Sequence, residues 1–166
     1  MDYRSIRVGF GYDSHRFVEG RSLYLGGIEI PYERGLLGHS DADVLLHAVG
    51  DALLGAVGQG DLGTYFPDSD PAYKDIASTA LLSEIRNILK RNGYRVNNVD
   101  ATVVCEQPHL QRYIPDMRRT IANILEITPD QVGIKATTNE KMGPIGRGEG
   151  IASYAVVTVI SEAFIA

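Results

Sequence analysis

The 166-residue sequence lacks most of the features that mark secreted, membrane or nucleic-acid-binding proteins. Cys105 is its only cysteine, so no intrachain disulfide can form, which is typical of a reducing compartment. No run of about 18 apolar residues is present to span a membrane, and charged residues interrupt positions 1–20, where a signal peptide needs an apolar core. The formal net charge is −5, and the scattered basic residues form no face for nucleic acid. We therefore expect a soluble protein of the cytoplasm, or a mature organelle form, with no membrane or nucleic-acid partner.

The length of the chain predicts one domain over residues 1–166, because repeats, low-complexity tracts and long linkers are absent. A chain of this size buries roughly 68–70% of its unfolded surface, so it needs neither disulfides nor a structural metal to fold. Any metal ligands in the sequence are therefore available for function.

Hydrophobic periodicity divides the chain into short strands and amphipathic helices. Strands are predicted at 6–12, 22–30, 98–105, 132–138 and 151–160, and helices at 41–57, 78–92 and 114–125. Ser40 followed by Asp43 fits a capping box, which predicts that Asp41 and Asp43 occupy the first turn of the first helix. The stretch 58–75 is rich in Gly, Pro and Asp, as functional loops are.

The predicted order, ββααβαββ, indicates an α+β domain in which a mixed β-sheet carries three helices on one face. The last strand is apolar at nearly every position, which is typical of strands buried on both faces. Since three helices cover only one face of such a sheet, we expect copies of the chain to cover the other face by forming an oligomer.

The stretch "GYDSHRF" places Asp13 and His15 at alternate positions, so both side chains lie on one face of an extended strand. Gly9 and Gly11 precede them on that face. The opposite face, with Val8, Phe10 and Tyr12, is apolar and is expected to face the core. An alternative interpretation is a strand end running into a polar turn, in which His15 is hydrogen-bonded to Asp13.

His47 lies on a narrow polar wedge of the first predicted helix, together with Asp43 and Asp51. Three of the four histidines fall within 33 residues, and Asp13, His15 and His47 together offer three N and O ligands. Three protein ligands and one open position are typical of a catalytic zinc site. The alternative for His47 is a hydrogen-bonded core histidine. His39, just before the helix, fits a fourth ligand, an anion contact at the helix N-terminus or an exposed loop residue.

Six motifs occur in order along the chain: "GYDSHRF", "LGGIEIPYERGLLGHSDADVLLHAVGDALLGA", "GDLGTYFPDSDP", "IPDMR", "KATTNEKMG" and "GRGEG". Together they resemble the 2-C-methyl-D-erythritol 2,4-cyclodiphosphate synthase family over nearly the whole chain. The resemblance implies a phosphorus–oxygen lyase of the non-mevalonate isoprenoid pathway. It converts 4-diphosphocytidyl-2-C-methyl-D-erythritol 2-phosphate to the 2,4-cyclodiphosphate and CMP. With no segment for a cytidylyltransferase domain, the chain resembles the single-activity form.

The resemblance also implies a homotrimer, with sheets facing the three-fold axis and active sites between subunits. It assigns Zn²⁺ or another divalent ion to Asp13, His15 and His47, and Mg²⁺ or Mn²⁺ at the diphosphate to Glu140. It implies transition-state stabilisation by His39 and Thr138. The implied substrate-binding residues are Ser40, Asp61, Leu62, Gly63, Phe66, Pro67, Asp68, Ser69, Asp70, Cys105, Pro108, His109, Leu110, Gln111, Ala136, Thr137, Thr138, Asn139, Glu140, Pro144 and Arg147. Arg147 and Glu149 would line an axial cavity for an isoprenoid diphosphate.

Two other functions fit the same residues. A zinc phosphohydrolase would use the three ligands with water as nucleophile and release inorganic phosphate. A metal-stabilised binding module would use them without turnover and unfold on chelation. The segment 105–118 differs most from the family pattern, at His109 and Gln111. The resemblance implies that contacts with cytosine are made largely by backbone groups there, so we expect cytosine recognition to survive.

Overall fold

The computed structural model describes residues 6–67 and 69–164. Its strands are β1 (Ile6–Glu19), β2 (Leu23–Leu25), β3 (Ile28–Ile30), β4 (Arg34–Leu36), β5 (Tyr94–Val104), β6 (Val132–Thr137) and β7 (Gly150–Ser161). Its helices are α1 (Val44–Ala56), α2 (Leu62–Tyr65), α3 (Ser78–Arg91), α4 (Ile114–Leu125) and α5 (Gly143–Gly146). Among the described residues, no helix has the length and apolar character needed to cross a membrane.

Five strands form one mixed sheet in the order β4-β1-β7-β5-β6, in which only β5 and β6 pair in parallel. This confirms the predicted α+β class. The predicted strand at 22–30 is wrong as a single element, because β2 and β3 form a separate antiparallel hairpin. Gly26 and Gly27 make its turn with φ of +62° and +77°, a conformation that glycine adopts without a steric cost.

Helix α1 lies directly on β1 and β7, and α3 and α4 continue the same layer over β5 and β6. The close approach of α1 depends on glycine. A Cβ at Gly9 would lie 1.8 Å from the carbonyl oxygen of Ala52, and one at Gly11 would lie 2.0 Å from that of Ala48. The glycine face of β1 is therefore the face that packs into the core.

The first helix begins at Val44 and not at Asp41 as predicted, and Asp43 is its N-cap in place of Ser40. Oδ1 of Asp43 accepts a hydrogen bond from the backbone N of Leu46. Ala42 has φ of +58°, which a right-handed helix cannot include, so the helix starts only after it. Asp43 is fully buried and also accepts bonds from the N–H groups of Gly26 and Gly27, which ties the β2–β3 hairpin to α1.

The sheet face opposite the helices is apolar and exposed in the single chain. Val8 is 65% exposed and Phe10 63%, and Tyr12, Tyr154 and Val156 lie beside them with more than 40% exposed. The prediction that this face of β1 packs into the chain's own core is wrong, because α1 occupies the glycine face. Strand β7 is buried at most positions, but Tyr154 and Val156 on this face are exposed in the single chain. We call Val8, Phe10, Tyr12, Tyr154 and Val156 the apolar sheet face.

Candidate active site

Strand β1 and helix α1 bring Asp13, His15 and His47 together. Alternation along β1 points Asp13 and His15 towards α1, on the same face as Gly9 and Gly11. His47 lies one turn after the N-cap, at the end of α1 that overlies them. Because the two glycines let α1 lie close to β1, side chains of the helix contact side chains of the strand directly.

The three ligand atoms lie almost equally far from one another. Oδ2 of Asp13 is 3.0 Å from Nε2 of His15 and 3.0 Å from Nδ1 of His47. The two ring nitrogens are 3.2 Å apart. A tetrahedral ion with ligands at about 2.0–2.1 Å separates them by roughly 3.3 Å, so these residues fit a zinc-sized ion. The cluster predicted from the sequence is confirmed as a group able to hold a metal.

The charge of Asp13 suits a cation. Burial alone would raise its pKa, but hydrogen bonds with His15 and His47, together with the charge those rings can carry, bring the pKa well below its ordinary value. The carboxylate therefore stays ionised, as a metal ligand must.

The outer nitrogens of both histidines have partners of their own. Nδ1 of His15 lies 2.7 Å from the carbonyl oxygen of Leu37, which can only accept, so Nδ1 donates to that carbonyl and Nε2 is the nitrogen available to an ion. Nε2 of His47 lies 3.0 Å from Oγ of Ser78 and 3.2 Å from Oγ of Ser40. Both imidazoles thus turn one nitrogen to the cluster and the other to the protein.

The cluster opens into a cavity of about 410 Å³. Six further predicted site residues line it: His39, Ser40, Leu62, Gly63, Phe66 and Pro67. The sequence reasoning missed five others: Gly38, Asp51, Tyr73, Ile76 and Leu81. Asp51 carried a signal, since it follows His47 by four residues on the polar wedge of the helix. Its carboxylate accepts a hydrogen bond from the N–H of Leu62, and burial raises its pKa.

The loop after α1 uses its acidic residues to build turns. Asp61 is exposed and caps α2, and its hydrogen bonds with the side chain and backbone N–H of Thr64 lower its pKa. Asp70 caps the turn Pro71–Tyr73, and its carbonyl oxygen lies 3.2 Å from Nε2 of His39. His39 therefore lines the cavity without joining the ligand cluster. Ser69 is exposed, and Asp68 lies outside the described residues.

A second cavity, of about 160 Å³, lies where β5 and β6 end. Its lining consists of eight predicted substrate-binding residues: Cys105, Pro108, His109, Leu110, Gln111, Ala136, Thr137 and Thr138. Burial, and secondarily the charge of Glu106, raise the pKa of the Cys105 thiol to about 11. This cavity brings together two chain segments that are about 30 residues apart in the sequence.

The loop after β6 carries Asn139 and Glu140. Oε1 of Glu140 accepts a bond from the hydroxyl of Thr138 at 3.0 Å. Oε1 of Glu106 accepts from the N–H groups of Asn139 at 2.9 Å and Lys141 at 3.2 Å. Glu106 thus fixes the loop in which Glu140 and Lys141 have φ of +50° and +62°.

Strand β7 separates the two cavities. Ser14 pairs with Ala152, Ala152 with Val104, and Val104 with Thr137, so the ligand cluster and the threonine segment lie at the same end of the sheet. Three strand spacings place β1 and β6 about 14 Å apart. Pro144 lines a third cavity beside His15, and Arg147 forms an exposed ion pair with Glu149 at 2.6 Å.

Comparison with known proteins identifies the family. Residues 6–160 match the YgbB family. The chain is 54% identical over 158 residues to the 2-C-methyl-D-erythritol 2,4-cyclodiphosphate synthase of Nostoc sp., covering 95% of this chain and 96% of that one.

Solved structures agree. The bifunctional IspDF of Campylobacter jejuni matches with a TM-score of 0.91 and 39% identity, over 94% of this chain and 42% of that protein. The IspF of Plasmodium falciparum, solved as a CDP complex, matches with a TM-score of 0.83 and 32% identity, over 97% of this chain and 99% of that one. The chain therefore belongs to the YgbB family of 2-C-methyl-D-erythritol 2,4-cyclodiphosphate synthases.

Proposed function

We propose that this chain converts 4-diphosphocytidyl-2-C-methyl-D-erythritol 2-phosphate to 2-C-methyl-D-erythritol 2,4-cyclodiphosphate and CMP. The observation that carries the proposal is the convergence of Asp13, His15 and His47 on one point at the wall of a cavity of about 410 Å³. Membership of the synthase family supports the same activity.

The reaction is an intramolecular phosphoryl transfer. An oxygen of the 2-phosphate forms a bond to the β-phosphorus, the bond from that phosphorus to the bridging oxygen breaks, and CMP leaves with the electron pair. The attacking phosphate is already ionised near neutral pH, so no strong base is needed. Bringing two anionic phosphates together is the main obstacle, and catalysis consists of positioning and neutralising charge.

The metal ligands fit this task. Asp13, His15 and His47 would hold one ion, and a carboxylate with two imidazoles suits Zn²⁺. The ion would supply positive charge against the phosphate oxygens. The carboxylate of Glu140, beside the hydroxyl of Thr138, would hold Mg²⁺ or Mn²⁺, which prefer one or two carboxylates together with substrate phosphates.

The remaining residues bind and orient the substrate. His39 and Ser40 present polar groups at the cavity wall, and Leu62 and Phe66 provide apolar surface for the erythritol portion. Thr137 and Thr138 offer hydroxyls to the diphosphate. The second cavity, with its backbone around Pro108, suits the cytidine. The structure of a relative determined as a CDP complex supports a nucleotide ligand.

The active unit is a homotrimer of single catalytic domains. The separation of about 14 Å between β1 and β6 in one chain supports an active site that joins the ligand cluster of one subunit to the second cavity of another. The exposed apolar sheet face supports subunits that pack around an axis, since patches of this kind mark protein–protein contacts.

Incubation of the zinc-loaded protein with the diphosphocytidyl substrate and Mg²⁺, followed by phosphorus NMR, tests the proposal. We expect resonances of a cyclic diphosphate and CMP in equal amounts. Release of inorganic phosphate would indicate a phosphohydrolase, and an unchanged substrate would indicate a binding module.

A further inference from the structure

His47 contacts a buried serine on the side away from the ligand cluster. Ser78, the first residue of α3, is 1% exposed, and its Oγ lies 3.0 Å from Nε2 of His47. The same hydroxyl lies 2.5 Å from Oδ1 of Asp41. Oδ2 of Asp41 accepts a second bond, from the backbone N of Ser78, at 2.9 Å. Hydrogen bonds therefore connect the carboxylate of Asp41, the hydroxyl of Ser78 and the imidazole of His47, which reaches the ligand cluster.

Only one arrangement of protons satisfies the hydrogen bonds from Asp41 through Ser78 to His47. Both carboxylate oxygens of Asp41 accept from Ser78, so the single hydroxyl proton of Ser78 is donated to Asp41. Oγ of Ser78 then has only lone pairs left for His47, which requires the imidazole proton to lie on Nε2. In the neutral ring, Nδ1, which faces Asp13 and His15, is then the nitrogen whose lone pair is available to an ion. The hydroxyl of Ser40, which accepts from the N–H of Ala42, lies 3.2 Å from the same Nε2.

His15 provides a contrast. Its outer nitrogen bonds to the backbone carbonyl of Leu37, a partner that no side-chain substitution removes. The tautomer of His47 depends instead on two side chains that lie 37 positions apart in the sequence. Neither Asp41 nor Ser78 has an assigned role in the reaction.

We propose that Ser78 and Asp41 are positioning residues for the metal site: they fix the tautomer and ring orientation of His47, so that Nδ1 is presented to the ion. This inference rests on the proposed function, because it takes His47 as a metal ligand. Both residues also join the segment before α1 to the start of α3, where the N–H of Asp41 bonds to the carbonyl of Ile76. The test must therefore separate metal affinity from folding.

The test measures zinc affinity by competition with a chelator of known affinity. The proteins are the wild type, Ser78→Ala, Asp41→Asn and His47→Ala, with Ser83→Ala on the same helix as the matched control. Loss of an outer-shell partner weakens metal binding by about 10- to 100-fold, and this is the expected loss for Ser78→Ala and Asp41→Asn. Ser83→Ala should bind zinc as the wild type does, and circular dichroism should show native helix content throughout.

A second measurement needs no variant. Nitrogen-15 NMR of the metal-free wild type should show neutral His47 with its proton on Nε2 and none on Nδ1, because bound zinc would itself impose that tautomer. A proton on Nδ1, or wild-type zinc affinity in both Ser78→Ala and Asp41→Asn, would overturn the inference, as would an equal loss in Ser83→Ala. Full zinc binding by His47→Ala would instead overturn the metal site of the proposed function. If the variants do not fold, the NMR result on the wild type decides.

Discussion

Nδ1 of His47 lies 3.0 Å from Oδ2 of Asp13, although the two residues are 34 positions apart in the sequence. The contact forms because α1 packs directly on the bare backbone of β1 at Gly9 and Gly11. The geometry of the ligand cluster is thus a consequence of helix–strand packing. A change in that packing should disturb both stability and metal binding.

Gly11→Ala should lower the free energy of unfolding by about 3 kcal/mol or more, the upper end for overpacking, because its Cβ would lie 2.0 Å from the carbonyl oxygen of Ala48. Urea unfolding measures the change. Gly55→Ala on α1 is the matched control, since its added Cβ meets nothing within 4 Å, and it should raise stability by roughly 0.5–1 kcal/mol. Equal stability of Gly11→Ala and the wild type would contradict the packing described.

Asp13→Asn should weaken zinc binding, because it removes the charge of a direct ligand. The loss of affinity should exceed the about 10- to 100-fold that is typical when a hydrogen-bond partner of a ligand is removed. Metal analysis after dialysis measures the loss, and activity should fall with zinc content. Asp100→Asn, which changes a carboxylate paired with Lys135 on the surface, is the control and should keep its zinc. Full zinc content in Asp13→Asn would show that the ion is held elsewhere.

Cys105 should react slowly with iodoacetamide in the folded protein. Burial raises its pKa from 9.0 to about 11, and only the thiolate reacts. At pH 8 the thiolate fraction is then about 100-fold lower than in the unfolded chain, so alkylation should be at least that much slower without urea. The same shift makes the free energy of unfolding fall as pH rises from 9 towards 11, because the thiol of Cys105 loses its proton at a lower pH in the unfolded chain than in the folded chain. Mass spectrometry follows the alkylation, and equal rates with and without urea would refute the shift.

Glu106→Ala should lower kcat/KM by about 10- to 100-fold, since it removes a charged acceptor worth roughly 1.5–3 kcal/mol from the loop that carries Glu140. Zinc content should not change, because the loop lies across β7 from the ligand cluster. Glu106→Gln keeps an acceptor oxygen and should retain most of the activity. A variant pair with equal losses would show that the charge matters and the loop geometry does not.

Phe10→Glu should convert the proposed trimer to monomers, because it places a charge in the middle of the apolar sheet face. Analytical ultracentrifugation at micromolar concentration measures the mass. The control is Glu19→Gln, at the exposed far end of the same strand. A wild type that sediments as a monomer would end the proposed assembly.

Local patterns in the sequence were enough to predict several elements. Helix α4 has the predicted bounds, 114–125, because its apolar spacing is regular. The spacing of Asp13 and His15 indicated a shared face, and the structure confirms their convergence with His47. These features depend on residues near one another in the chain or on side-chain chemistry.

Features that depend on packing between distant segments were not predictable. The alternation in β1 gives two faces but does not say which one α1 covers, and the apolar face was wrongly assigned to the chain's own core. The backbone of Ala42 is left-handed, which delays the start of α1, and the neighbouring residues give no indication of it. The contact of Ser78 with Asp41 joins the start of α3 to the segment before α1, and no periodicity indicates that pairing.

The exposed sheet face has a consequence for how the protein is measured. If several copies bury Val8, Phe10 and Tyr154 against one another, folding and association share one free energy, and dilution weakens both. The melting temperature should then rise with protein concentration. Comparisons between variants are meaningful only at matched molarity.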